Sequence, residues 1–359
     1  MLAGVLTLSG CGDRTPNGGP LPVVATLGEP GSSPGQYSYP RAIDADGESL
    51  WVIDKLARVQ RVDPKSGQAT TGWRMPRWQQ GKPTGVTAWR AQGSPDEYIL
   101  VPDTHYHRVC IYKVAGDPAS KRPGQLVAQF GDYGTGPGQF IYLTDVAVVP
   151  NAKGDGIAQL YVSEYGGNDR ISVFRRGTPD APGAEGEYTF ESAFGRFGIA
   201  GEGPEGPGME PFFNRPQSIA FDRAHQELIV TDACNHRVGR LTLDGKVVRW
   251  IGHLGRAGAP APPGQEATFV NPYGLALAGD GTAIIAEFGA SRFQRVDLAS
   301  GRSLGVYGRP GRGAGELATP WGIALIGERA FALDSGNNRV LEFELPRAPR
   351  LATQGGGPR

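Results

Sequence analysis

Six acidic residues are each followed, four to six positions later, by an arginine and then a hydrophobic residue. The pairs are Asp54 and Arg58, Asp103 and Arg108, Glu164 and Arg170, Asp232 and Arg237, Glu287 and Arg292, and Asp334 and Arg339. A carboxylate beside a guanidinium can serve acid–base chemistry, but ion pairs of this type are also ordinary structural features. A pair that recurs six times cannot be a unique catalytic centre. We therefore expect each carboxylate to accept loop N–H groups or to pair with its arginine across a hairpin.

Histidine and cysteine lie close together at two of these hairpins. His105 and His107 flank Tyr106, and Cys234 lies two positions before His236. Imidazole and thiolate are good zinc ligands, but two ligands in each of two non-adjacent hairpins do not make a tetrahedral site. We predict no metal and no cofactor. If a metal is bound, His105, His107 and His236 are the candidate ligands. No serine or cysteine with a neighbouring base indicates a catalytic nucleophile.

Short apolar strands must position these residues. A proline or leucine opens one strand, a second strand ends in the acid, and the arginine begins a third; the openings are Pro40, Pro83, Leu143, Pro216, Pro272 and Pro320. The runs are rich in Val, Ile, Tyr, Phe and Trp, which is strand composition. The 55 glycines and 30 prolines fall between these runs, where they indicate turns. The sequence predicts an all-β fold.

The segments DACNHRV (232–238) and DSGNNRV (334–340) resemble the NHL repeat, and similar units cover the chain from Val23 to Leu345. The resemblance implies a six-bladed β-propeller of four-stranded blades over residues 23–345. A single blade cannot bury both of its faces, whereas a closed ring of blades can. Only one strand follows the last arginine, and Val23–Leu27 has no blade of its own. We predict that this N-terminal strand closes the ring as the outer strand of the sixth blade, and that residues 346–359 form a disordered tail.

Residues 176–215 depart furthest from the repeat. Their composition is polar and rich in glycine and proline. Such segments are often mobile or functional, and we expect extended, mobile surface loops that join blades three and four.

The N-terminal segment resembles the signal of bacterial lipoproteins. Residues 1–10 are apolar and end in Leu8-Ser9-Gly10 before Cys11, which matches a lipobox, although no basic residue precedes the apolar run. Residues 11–22 have the polar, Gly/Pro-rich composition of a tether. The resemblance implies lipidation at Cys11 and a lipid-anchored protein of the cell envelope, on the periplasmic or extracellular face. Acyl chains would make this anchoring firm.

The charge balance argues against nucleic-acid binding. Thirty-six basic residues balance thirty-six acidic residues, so the formal net charge is zero. Phosphate neutralisation by a basic excess supplies most of the affinity of nucleic-acid-binding proteins. We therefore predict no nucleic-acid partner.

The residues directly after the six strand openings predict the candidate site. They are Arg41, Thr84, Thr144, Gln217, Tyr273 and Trp321. In the lyase domain of peptidyl-amidating enzymes, an NHL-like propeller, such positions carry zinc-binding histidines, and none of these residues is histidine. Lactonases of the gluconolactonase type hold an axial calcium, and Asp145 is the only acid that we place near an opening.

The resemblance places these six residues around one mouth of the central channel. Aromatic residues beside an arginine are typical of interfaces, but the same residues could instead plug the channel and only pack. Our interpretation is a monomeric, non-enzymatic propeller that binds a protein, peptide or carbohydrate ligand. The alternative is a lactonase-like or amidating-lyase-like propeller hydrolase or lyase with an axial metal.

Overall fold

Six four-stranded antiparallel sheets form the blades of a β-propeller. The structure is a computed structural model, and it describes residues 18–345. Within this range, helical structure consists of three single 3-10 turns, Thr104–Tyr106, Ala233–Asn235 and Ser335–Asn337. The predicted all-β, six-bladed fold is confirmed.

The first three blades follow the chain in order from the innermost to the outermost strand. Blade 1 consists of Pro40–Ala45, Leu50–Asp54, Arg58–Val62 and Ala69–Arg74. Blade 2 consists of Thr87–Arg90, Asp96–Asp103, Arg108–Ala115 and Gln125–Phe130. Blade 3 consists of Tyr142–Pro150, Ile157–Tyr165, Arg170–Arg176 and Tyr188–Phe194.

The last three blades keep this order, except that blade 6 takes its outer strand from the start of the chain. Blade 4 consists of Pro216–Asp222, Glu227–Asp232, Arg237–Thr242 and Val247–Ile251. Blade 5 consists of Pro272–Leu277, Thr282–Glu287, Arg292–Asp297 and Ser303–Tyr307. Blade 6 consists of Gly322–Ile326, Arg329–Asp334, Arg339–Glu344 and Val23–Leu27.

Ring closure follows the predicted pairing. Val23–Leu27 runs antiparallel to Arg339–Glu344, and Leu27 lies opposite Val340. Leu27 is buried in a core cluster with Val340 and Tyr37. The outer strand of blade 6 therefore joins the beginning of the chain to its end.

The core lies between neighbouring blades. Ile99 packs with Ile53 of blade 1, whereas the next residue, Leu100, packs with Leu160 of blade 3. Successive side chains of a strand point to opposite faces, so one strand supplies two inter-blade cores. This arrangement explains why the strands are apolar on both faces.

The links between blades lie at one end of the ring. Three of them contain a short parallel pair: Asp132–Tyr133 with Gln139–Phe140, Arg196–Phe197 with Phe212–Phe213, and His253–Leu254 with Thr268–Phe269. Because the sheets are antiparallel, the strand openings, the acids and the arginines lie at this same end. We call it the opening face.

Residues 176–215 differ from the expected loops. The segment contains Tyr188–Phe194, which is the outer strand of blade 3. The loop before this strand is held by the guanidinium of Arg176, which donates hydrogen bonds to the carbonyls of Ala181, Gly183 and Glu185 at 2.7 to 2.8 Å. Bonds to backbone oxygen atoms thus fix part of a segment whose composition resembled that of a mobile loop. Among the described residues, no helix is long and apolar enough to span a bilayer.

Candidate functional site at the mouth of the channel

All six acid–arginine pairs form close ion pairs at the opening face. The pairs and their shortest N–O distances are Asp54–Arg58 at 2.5 Å, Asp103–Arg108 at 2.9 Å, Glu164–Arg170 at 2.7 Å, Asp232–Arg237 at 2.9 Å, Glu287–Arg292 at 2.6 Å and Asp334–Arg339 at 2.8 Å. Burial raises the pKa of Asp232 to about 6, although Arg237 lowers it. The six pairs are spread around the ring, one in each blade.

The pairs also organise the links that lead into their blades: every arginine donates to a link carbonyl, and every acid except Asp103 accepts a link N–H. Asp54 accepts the backbone N–H of Ser38 at 3.1 Å, and Arg58 donates to the carbonyls of Gly31 and Gln36 at 3.1 and 3.0 Å. Charged partners make such hydrogen bonds strong. The carboxylate therefore binds link N–H groups while the guanidinium binds link carbonyls.

In every blade except blade 1, where the position is Ala57, the side chain before the arginine bonds to the link of the next blade. His236 Nδ1 accepts the backbone N–H of Asn271 at 3.1 Å, and Asn338 Oδ1 accepts that of Tyr39 at 2.6 Å. His107 Nδ1 lies 2.6 Å from the carbonyl of Ile141 in the following link. Burial lowers the pKa of His236, which favours the neutral ring that accepts this bond.

These contacts give two of the three candidate metal-binding histidines another partner. His105 packs against Tyr142, with ring centroids 5.6 Å apart. Burial and the nearby cations Lys82 and Arg41 lower the pKa of His105. Among residues 18–345, no three His, Cys, Asp or Glu side chains are grouped as metal ligands would be. Cys110 and Cys234 are free thiols.

The six predicted mouth residues fall into two groups. Thr84, Thr144 and Gln217 take part in contacts between blades or within them. The Thr84 hydroxyl donates to the Thr144 carbonyl at 3.1 Å, and the Thr144 hydroxyl donates to the Pro216 carbonyl at 2.7 Å. Gln217 Oε1 accepts from Arg215 Nε at 3.0 Å. Three of the six residues are thus engaged in structural hydrogen bonds.

The other three predicted residues, Arg41, Tyr273 and Trp321, belong to a ring of aromatic and basic side chains that surrounds the mouth. We call this set the mouth ring; its members are Tyr39, Arg41, His105, Tyr142, Tyr165, Arg215, Tyr273, Phe288 and Trp321. Tyr273 is stacked on Phe288 at 4.5 Å and meets Trp321 edge-on at 5.2 Å. Arg41 connects blade 1 to the link before blade 2 through a 3.5 Å contact with the Lys82 carbonyl.

The aromatic members differ in accessibility. Tyr273 is 6% exposed and Trp321 is 9% exposed, and both belong to a core cluster. Tyr39, Tyr165 and Phe288 are half-buried. Tyr273 and Trp321 therefore form the packed floor of the mouth, and the half-buried rings form its walls.

Two arginines lie among these rings. The Arg41 guanidinium lies 5.1 Å from the centre of the Trp321 ring and 5.8 Å from that of Tyr39. The Arg215 guanidinium lies 4.6 Å from Tyr165 and 5.2 Å from Tyr273. Cation–π contacts of this kind hold a guanidinium in a fixed orientation. Neither arginine forms an ion pair with a carboxylate in the described part of the chain.

Below the mouth, the axial channel contains a cavity of about 240 Å³. Its lining is dominated by small and aliphatic side chains of the innermost strands, together with Asp44 and Asp145. Burial raises the pKa of Asp44 to about 6 and that of Asp145 to about 7. Asp44 accepts the N–H of Ala88, and Asp145 accepts the hydroxyl of Ser218, so each carboxylate connects two blades.

Several residues of the site are not predicted from the sequence. The sequence places Asp145 alone among the acids near a blade opening, but Asp44 also lies in the channel. Tyr39 and Arg215 directly precede the opening prolines, and both adopt positive φ angles, 48° and 66°. A polar or aromatic residue before each opening was visible in the sequence, but nothing there showed that its side chain would reach the mouth.

Comparisons with known proteins agree on the fold. The model of the NHL repeat matches residues 213–241, which cover the first three strands of blade 4. No curated protein matches the chain. A structural genomics protein of unknown function from Bacteroides thetaiotaomicron VPI-5482 superimposes with a TM-score of 0.59 and 15% identity, over 92% of this chain and 74% of that chain.

Two lyase structures are also similar. A streptogramin B lyase has a TM-score of 0.49 and 15% identity, over 88% of this chain and 85% of that chain. A catalytically inactive virginiamycin B lyase from Staphylococcus aureus, with Quinupristin, has a TM-score of 0.48 and 13% identity, over 86% of this chain and 85% of that chain. The NHL match and the six blades together support an NHL-type propeller.

Proposed function

We propose that this chain is a non-enzymatic β-propeller that binds a protein, peptide or carbohydrate partner at the mouth ring, outside the cytoplasm. The observation that supports the proposal is the pair of guanidinium groups, Arg41 and Arg215, set among aromatic rings without a carboxylate partner in residues 18–345. Arginine, tyrosine and tryptophan are the residues that most often dominate binding energies at interfaces. The repeat itself does not require them here, because its own arginines are all paired with acids.

The shape of the mouth supports the same function. Ligand sites are concave and mostly apolar, with a few polar groups that fix orientation. The packed floor of Tyr273 and Trp321 and the half-buried walls fit that description. A plug and a binding site are therefore compatible in one structure: Tyr273 and Trp321 pack as the floor, while the two guanidinium groups lie beside the half-buried rings of Tyr39 and Tyr165.

Lipid anchoring is the second part of the proposal. Cys11 lies outside the described residues, so its support is the lipobox-like sequence and the tether composition of residues 11–22. Metabolic labelling with a clickable fatty acid should label the wild-type chain and not Cys11→Ser. Equal labelling of both proteins would rule out lipidation at this cysteine.

Partner capture tests the binding function. The tethered protein should be purified from membranes, and the co-purifying proteins, peptides and glycans should be quantified by mass spectrometry. We expect Arg41→Ala and Arg215→Ala to retain the wild-type melting temperature and to lose most of the enriched partner. Arg312→Ala is the matched control, because Arg312 is exposed on a link of the same face. Wild-type enrichment by both mouth variants would overturn the proposal.

The alternative is a hydrolase or lyase with an axial metal, and Asp44 and Asp145 are the channel carboxylates that could bind it. Their existing hydrogen bonds argue against metal binding. Asp44 already accepts backbone N–H groups on both oxygen atoms, and Asp145 accepts N–H or hydroxyl groups on both of its own. A divalent cation would need further protein ligands. Metal content after chelator washing and turnover of lactones or amidated-peptide precursors separate this alternative from the binding function.

A further inference from the structure

Arg41 and Arg215 differ from the other buried or half-buried arginines of the propeller. Arg58 and Arg292, for example, form ion pairs at 2.5 and 2.6 Å, and Arg176 donates to four backbone carbonyls. Arg41 has one marginal hydrogen bond, to the Lys82 carbonyl, and Arg215 donates only to an amide oxygen. Within residues 18–345 these two guanidinium groups thus have spare donors and no carboxylate at ion-pair distance, although the charge of Asp169 acts on Arg215 from further away.

The environment of Arg41 makes this arrangement costly without a ligand. Its Nε atom is buried and has no hydrogen-bond partner among the described residues. Burial lowers the pKa of Arg41, and the charge of Arg215 lowers it further. A desolvated cation beside another cation is unfavourable unless an anion compensates it.

Carboxylates near the mouth are already engaged. Asp169 Oδ1 accepts the backbone N–H of Arg215 at 2.6 Å, and its Oδ2 accepts that of Gly167 at 3.1 Å. Asp169 also accepts a backbone hydrogen bond from Gly166, so it positions the Arg215 backbone and acts on the Arg215 guanidinium only through its charge. Lys82, which is exposed, adds a further positive charge close to His105.

Building on the proposed binding function, we propose that the mouth ring is an oxyanion site that takes a carboxylate group of the partner between Arg41 and Arg215. A guanidinium is a planar fork of donors that matches a planar carboxylate in bidentate geometry. The flanking rings hold both forks in place, so little side-chain entropy is lost when the carboxylate binds. The half-buried rings then contact the apolar part of the molecule that carries this group.

Isothermal titration with benzoate and benzamide tests the inference, because the two probes share a ring and differ in charge. The purified full chain should bind benzoate with a Kd of about 1 mM, as is typical of a fragment with few atoms, and benzamide should bind at least tenfold more weakly. Arg41→Gln and Arg215→Gln should each weaken benzoate binding at least tenfold. Arg312→Gln should leave it within twofold of the wild type.

Several outcomes would overturn the carboxylate site. They are no benzoate binding, equal binding of benzoate and benzamide, or a loss of benzoate affinity in Arg312→Gln as large as in the mouth variants. Inorganic phosphate forms the third arm. If phosphate binds and benzoate does not, the site selects a different anion and the assignment fails.

The two proposals fail separately. If Arg41→Gln and Arg215→Gln no longer capture the partner from membranes but the wild-type protein does not bind benzoate, the mouth binds its partner without a carboxylate. If benzoate binding depends on both arginines but partner capture does not, the carboxylate site stands and the proposed function falls.

Discussion

At the residue scale, Glu97 is a buried acid that joins blades 1 and 2. Its Oε2 accepts Arg61 at 2.6 Å, and its Oε1 accepts the indole N–H of Trp51 at 2.9 Å. Asp46 hydrogen-bonds the same carboxyl group. Burial, followed by the influence of Asp46, raises the pKa of Glu97 to about 8. At neutral pH Glu97 is therefore mostly protonated, and it donates a hydrogen bond to Asp46.

This protonation makes stability depend on pH. Between the unfolded pKa of Glu97, about 4.5, and its folded pKa, about 8, the folded state binds more protons than the unfolded state. The free energy of unfolding that this group contributes therefore falls as pH rises through that window. Glu97→Gln keeps a hydrogen-bond donor for Asp46 but has no proton to lose. Measured by urea denaturation, the free energy of unfolding of the variant should therefore fall less than that of wild type between pH 5 and pH 9.

Glu48→Gln is the control for this prediction, since Glu48 lies near the same cluster, 3.9 Å from Arg90, but is exposed. It should keep the wild-type pH dependence. Identical pH profiles for Glu97→Gln and wild type would show that Glu97 does not hold a proton in the folded state. The sequence could not predict this residue, because its partners Asp46 and Arg61 belong to another blade.

At the element scale, the hairpin residue before the arginine connects neighbouring blades in five of the six blades. The sequence identified His236 as a repeat position, and the structure adds its partner, the Asn271 N–H. We expect His236→Ala to lower the free energy of unfolding by about 1–2 kcal/mol, because it leaves the part-buried Asn271 N–H without its acceptor. His236→Asn should preserve stability, because Asn338 makes the equivalent bond in blade 6.

Urea denaturation checks this pair of variants. His225→Ala is the matched control, since the His225 side chain is exposed and should contribute less than about 0.5 kcal/mol. A loss of stability in His236→Asn as large as in His236→Ala would contradict the acceptor role. If a chelator destabilised wild type as much as His236→Ala does, the histidine would be a metal ligand instead.

Repeated positions were predictable at this scale and unique ones were not. The acid, the arginine and the opening residue could be aligned because six copies show the same order and a similar spacing. Tyr188–Phe194 was hidden in a Gly/Pro-rich stretch, because its strand follows the loop of residues 177–187 and is itself followed by a Gly/Pro-rich link. Tyr39 and Arg215 reach the mouth through positive φ angles, which a sequence pattern does not reveal.

At the scale of the whole molecule, ring closure was predictable from a count of strands, whereas the mouth was not. The count left one strand missing at the C-terminal end and one unassigned at the N-terminal end, and a closed ring accommodates both. The mouth ring combines side chains from all six blades or their links, so its contacts depend on the blade geometry. Arg41, Tyr273 and Trp321 were predicted from the repeat, and their packing partners came only from the structure.

Removal of the closing strand is the prediction that belongs to this scale. Deleting residues 12–27 removes Leu21 and Leu27, which are buried in two different core clusters, and exposes the edge of Arg339–Glu344. Each buried leucine contributes about 1.5–3 kcal/mol, so the melting temperature should fall by about 10 °C or more. Calorimetry should also show that Leu27→Ala lowers the free energy of unfolding by about 2–5 kcal/mol. Val24→Ala, on the same strand but at a residue that is 62% exposed, should change this free energy little. An unchanged melt after the deletion would mean that the ring holds together without this strand.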